Sequence, residues 1–223
     1  MSSLSYRSAS ELNDSMIRVY NHMCLAVLNS MIVGYFVSTN TQLMATLFGT
    51  PLKWVVIFAP LVAVLLVSFT IDKVGKVAAT LMLHGFAALM GLSFATIFVI
   101  YTVGSITSAF MGAAILFGTM SFYGYFTKRS LETMGQFMFI GLIAIVIASI
   151  VNIFIGSTVM QMVISALAII IFLGLTAYDT QQIREMVSVD SSSAVEVTGA
   201  LTLYLDFINI FLNLLQLFGN KND

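Results

Sequence analysis

Seven stretches of this chain are almost continuously apolar, and the polar positions collect between them. They run over roughly 22–38, 54–71, 77–98, 105–126, 135–155, 160–179 and 199–218, each near the ~20 residues a helix needs to cross ~30 Å of hydrocarbon. The pattern predicts an all-α polytopic membrane protein with seven transmembrane helices. Residues 1–21 are polar and predict a segment outside the bilayer, 22–219 the membrane domain and 220–223 a short tail. The start lacks the basic-then-apolar layout of a cleavable signal, so the first helix is expected to be retained. The polar run from Gln181 to Thr198 predicts a long, mobile loop.

The seventh segment departs from the plain apolar pattern. Thr202, Asp206, Asn209, Asn213 and Gln216 recur at spacings of 4, 3, 4 and 3, which places them on one helix face. Lipid offers such a face no hydrogen-bond partners, so it must meet other helices or water. This puts the last helix inside the bundle, with Thr202, Asn209 and Asn213 as candidates for lining a path.

Composition agrees with the class. The 223 residues are 59% hydrophobic and 9% charged, against about 25% charged in soluble domains. A net charge of −1 gives no electrostatic basis for binding nucleic acid. Cys24 is the only cysteine, so no internal disulfide forms. Arg7, Arg18, Lys73, Lys76, Lys128, Arg129 and Arg184 fall on alternate connections, and Lys53 and Lys221 on the others. The positive-inside rule then predicts a cytoplasmic N-terminus. Seven crossings put the C-terminus outside; a re-entrant seventh segment would return it.

The candidate chemistry lies in two acids. Asp179 and Asp206 sit in otherwise apolar stretches, where a carboxylate costs about 2.5–3.5 kcal/mol at mid-helix and marks a pathway or proton site. Asp179 is five residues before Arg184 and Asp206 seven after Gly199, so both belong to the cytoplasmic half of their helices. If they touch, they share a proton and titrate as a pair. Fully ionised, they would repel or offer oxygens to a hard cation such as Ca²⁺, making them the candidate metal ligands. His84 in the third segment falls near the same depth; it either joins the proton site or is hydrogen-bonded packing.

Other features read as structure. Pro60 predicts a kink in the second segment. Gly112, Gly118 and Gly124 predict close helix approach, and Trp54 and Tyr101 interfacial anchoring. Gly91-Leu92-Ser93 has a nucleophile look, but His84 is nine residues away on the same helix, ~13 Å by helical rise. With no zinc motif, Cys/His cluster or phosphate loop, the chain is not expected to be an enzyme or to carry a cofactor.

The runs AYDTQQI (177–183) and LTLYLDFINIFLNLLQLFG (201–219) resemble the Bax inhibitor-1 family, and the short N-terminus its bacterial branch. The resemblance implies six helices around a central seventh, and a pH-sensitive Ca²⁺ leak in a bacterial inner membrane. Asp179 and Asp206 would be its pH sensor and closed-state latch. The family's basic partner near the end of the second helix falls in SFTIDKVGK, where Lys73 or Lys76 would stand in for an arginine. Lysine lacks arginine's bidentate fork. Gln216 stands where many relatives carry a basic residue. Some bacterial relatives instead modulate a membrane-bound ATP-dependent protease, which implies an alternative role as a regulator of such a protease or of a stress response through helix contacts.

Overall fold

A computed structural model describes residues 8–190 and 192–222, apart from the side chains of Asp72 and Ser193. The helices are α1 (Ala9–Thr39), α2 (Thr41–Phe48), α3 (Leu52–Thr70), α4 (Lys76–Ile100), α5 (Val103–Phe126), α6 (Glu132–Ile155), α7 (Thr158–Val189) and α8 (Ser193–Phe218), with a short 3-10 turn at Ile71–Lys73. Seven of them, all but α2, are long and apolar enough to cross a membrane. The chain is an all-α, multi-pass membrane protein.

Its interior divides into two compact units. One takes the chain up to Tyr101, then Glu185–Tyr204 and the last residues from Asn222; the other is Thr102–Arg184 with Leu205–Lys221. Helix α8 contributes to both. Its membrane window is 56% buried, against 11–33% for the other six. At 26 residues it is about 39 Å long and unbroken, long enough to cross a bilayer.

In the first unit, α1 starts earlier than the apolar pattern indicates. Ser8 caps it: the Ser8 Oγ accepts from the Glu11 amide at 3.4 Å, and the Ser8 amide donates to Glu11 Oε2 at 3.0 Å. This reciprocal box starts the helix among polar residues, so 9–21 is helical and continuous with the first apolar span. Helices α1 and α4 meet through small residues. A Cβ on Gly91 would lie 2.7 Å from the Ser30 carbonyl oxygen, so the backbones are already in contact. Ser30 donates to the Ala87 carbonyl at 2.8 Å. Having spent its one proton, it accepts from the Tyr204 hydroxyl, 2.7 Å away.

Pro60 sits inside α3. It has no N–H for the carbonyl four residues earlier, that of Val56. The Ser93 hydroxyl of α4 donates to that carbonyl at 2.7 Å. The serine that looked nucleophilic is thus engaged in repairing a helix.

In the second unit, Phe110 and Phe117 of α5 pack edge-to-face on Phe207 and Phe211 of α8, with centroids 5.3–6.1 Å apart. Gly156, at φ +67°, ends α6 in the left-handed region, which glycine adopts without steric cost. The expected long loop after the sixth span is mostly helix. Helix α7 continues ten residues beyond Asp179 to Val189, and α8 begins at Ser193. Gln181–Met186 are good helix formers, so polarity there ends the membrane span but not the helix.

Candidate functional site

Four consecutive residues of α7 face three different helices. Ala177 packs its backbone against Gly124 of α5, and Tyr178 lays its ring over Gly135 of α6. Thr180 shares a hydrogen bond with Ser121 of α5 at 2.9 Å. Asp179, between them, meets Asp206 of α8. Gln181 then accepts from the Leu131 amide at 2.8 Å and donates to the Arg129 carbonyl at 2.9 Å, tying down the α5–α6 connection. The run AYDTQ is therefore a hub, and the acid in it is held from both sides. Of the three glycines expected to permit close approach in α5, only Gly124 does so: a Cβ on Gly118 meets nothing, and one on Gly112 makes ordinary contact with Leu214.

The two acids are brought together. Asp206 is 4% exposed and Asp179 half-buried, and their carboxyl groups lie within hydrogen-bonding reach. The Thr176 hydroxyl also lies beside Asp206, but its proton is directed at the Phe172 carbonyl, 2.7 Å away. Asp206 Oδ2 is buried and meets no conventional donor. Two carboxylates hold no hydrogen between them, so the only donor that can join this pair is a proton carried by one of them.

The rest of the α8 stripe is satisfied close to home. Asn209 donates to the Leu205 carbonyl and Asn213 to the Asn209 carbonyl, both at 2.8 Å. Thr202 donates to Thr198 at 3.2 Å, and Gln216 accepts from Ser165 of α7 at 3.1 Å. A cavity of ≈ 490 Å³ opens between the start of α5 and the end of α8, lined by Thr102, Ser105, Ser108, Leu214 and Asn220 among others. Thr202, Asp206, Asn209 and Asn213 are not in its lining.

The remaining candidates lie in the first unit. Lys73 and Lys76 are exposed, and among the described residues neither forms an ion pair. His84 is half-buried, and its carbonyl accepts from Asn29 at 2.8 Å. Among the described residues, no group of three or more His, Cys, Asp or Glu side chains is placed to hold a metal ion; the aspartates stand as two carboxylates.

Sequence reasoning missed one charged pair. Glu196, 2% exposed, lies in the stretch expected to be a loop. The Arg18 Nε donates to both its carboxylate oxygens at 2.9 Å, and Nη2 to Oε1 at 2.7 Å. Nη2 also reaches Ser15 at 2.8 Å. Asp206 stood out inside an apolar run; Glu196 stands only at the mouth of one, a weaker form of the same signal.

Comparison with known proteins gives one consistent result. Residues 12–223 match the family described as inhibitor of apoptosis-promoting Bax1. The chain is 38% identical over 217 residues to the inner membrane protein YbhL of Escherichia coli, covering 94% of this chain and 93% of that protein. It is 36% identical over 217 residues to an uncharacterised protein of Borreliella burgdorferi, covering 95% and 94%. It is 36% identical over 214 residues to the uncharacterised protein YrjE of Lactococcus lactis, covering 93% and 91%.

Proposed function

The chain belongs to the Bax inhibitor-1 family, and from that premise we propose that it is a pH-sensitive cation leak, principally for Ca²⁺, in a bacterial inner membrane. The observation that carries this reading is the buried contact between Asp179 and Asp206. An acid–acid hydrogen bond lasts only while the pair keeps a proton. Without it, two like charges face each other at a site where repulsion is weakly screened. The bond therefore holds α7 to α8 at lower pH and is lost as pH rises through the titration of the pair. A two-state contact biased by one proton is a switch. Once ionised, the carboxylates become oxygen ligands suited to a hard cation in transit. Thr202, Asn209 and Asn213 continue the same face of α8 on either side of Asp206, and we assign the path to them. The positive-inside rule applied to the basic loops supports a cytoplasmic N-terminus.

The test is Ca²⁺ flux into proteoliposomes of purified protein across roughly pH 6 to 8, for wild type and Asp206→Asn. The amide can bond Asp179 at any pH, so the variant should leak little and with a flat profile, against a wild-type flux that rises with pH. A variant profile superimposable on wild type would remove the pair from the mechanism. No flux from folded wild type at any pH would remove the leak.

A further inference from the structure

Arg18 and Glu196 are not part of the carboxyl pair, yet they act on the same helix. Glu196 lies in the first turns of α8, ten residues before Asp206, about 15 Å along the helix. Its carboxylate is almost wholly buried, and Arg18 of α1 grips it through three hydrogen bonds of 2.7–2.9 Å. A buried carboxylate with one partner removed is strongly destabilised, because the remaining charge is left without compensation. Arginine keeps its charge at every working pH. We infer that Arg18 and Glu196 are positioning residues for α8: a clasp made of charge that holds its first turns to α1, alongside the proton-dependent latch at Asp206. The assignment of an effect on flux rests on the leak proposed above.

The two contacts then do different things. The aspartate pair sets where on the pH axis the leak turns on. The clasp adds a contribution to the same equilibrium that does not depend on pH, so weakening it raises the level most where the latch is closed and leaves a profile that still responds to pH. His22, one turn along α1 from Arg18, belongs to the same neighbourhood, with His84 and Lys76 of α4 and Glu196 itself around it; Asp14 lies near Arg18. The His22 imidazole is an ionisable group of α1 one turn from the clasp, so His22→Gln serves to separate its effect.

The experiment compares wild type, Arg18→Gln, Glu196→Gln, the exchange Arg18→Glu/Glu196→Arg, and His22→Gln as full-length proteins in liposomes. It reads Ca²⁺ flux against pH, release of a trapped bulky dye, and hydrogen exchange of residues 193–204. Either single neutralisation should raise flux on the order of tenfold at the low-pH end, with a profile that still rises with pH. It should also speed exchange in the first turns of α8 and retain the dye. The exchange variant should recover much of both effects, and His22→Gln should reproduce neither. Unchanged exchange and flux in both neutralised variants would overturn the clasp, as would a flux that no longer rises with pH or escape of the dye. If wild type conducts nothing, the leak fails on its own, and the exchange rates of 193–204 still decide whether the pair holds α8.

Discussion

At the scale of single residues, the hydroxyl and amide groups of the spans are held by specific partners. Ser93 and Pro60 show how far this goes. The proline strips α3 of one hydrogen bond, and the serine of α4 returns it at 2.7 Å to Val56. Ser93→Ala should therefore cost about 1–2 kcal/mol, measured by denaturant unfolding in mild detergent. In a Pro60→Ala background the cost should largely vanish, because the restored N–H serves Val56 instead. Equal costs in both backgrounds would mean that the serine does not act through that carbonyl. The same partner rule explains what could be read from residues alone. Asp179 and Asp206 stood out because an acid inside an apolar run has few ways to be satisfied, and each turned out to be the other's partner. Glu196 carried a similar signal, masked by SVDSSSAV before it. Its partner lies 178 positions away in the sequence, a distance that no local pattern encodes.

At the scale of elements, hydropathy located all seven spans but misjudged where helices end. It registers the edge of the hydrocarbon, whereas helices stop at caps. The capping box at Ser8 starts α1 thirteen residues before the apolar run, and the helix-forming residues after Asp179 carry α7 on to Val189. The short helix α2, opened by Asn40 accepting from the Leu43 amide at 3.0 Å, was hidden in a connection. Glycine spacing was legible only in part, since it shows where helices can approach and not where they do. Gly124 and Gly118 make a test of that distinction. A Cβ at Gly124 would strike the Ala177 backbone, which cannot yield as a flexible side chain would, while one at Gly118 meets nothing. Gly124→Ala should lose about 1–3 kcal/mol, and by moving α7 beside Asp179 it should alter the pH profile of flux. Gly118→Ala should change neither melting temperature nor profile. Identical behaviour of the two variants would remove the α5–α7 contact from the support of the acidic pair.

At the scale of the whole molecule, packing and charge carry separate information. Burial identifies α8 as the most enclosed span, but burial has no sense of direction across a membrane. Direction comes from the basic residues, which crowd onto alternate connections: Lys73 and Lys76 after α3, Lys128 and Arg129 after α5, Arg184 in the last turns of α7. Such connections resist translocation, which is why the bias fixes orientation. Cys24 is the only cysteine, so a Cys24→Ser background allows new thiols to be placed one at a time. A cysteine at Ser130, beside Lys128 and Arg129, should react with a membrane-impermeant thiol reagent only from the cytoplasmic side. One at Ser157, between α6 and α7, should react only from the opposite side. One at Asn222, beyond α8, should behave like Ser157, since a continuous α8 makes the seventh crossing. Labelling at Asn222 from the cytoplasm would mean that α8 does not cross. The reverse pattern at Ser130 and Ser157 would invert the protein, moving the acidic latch to the outer half and making the pH outside the cell the signal it answers.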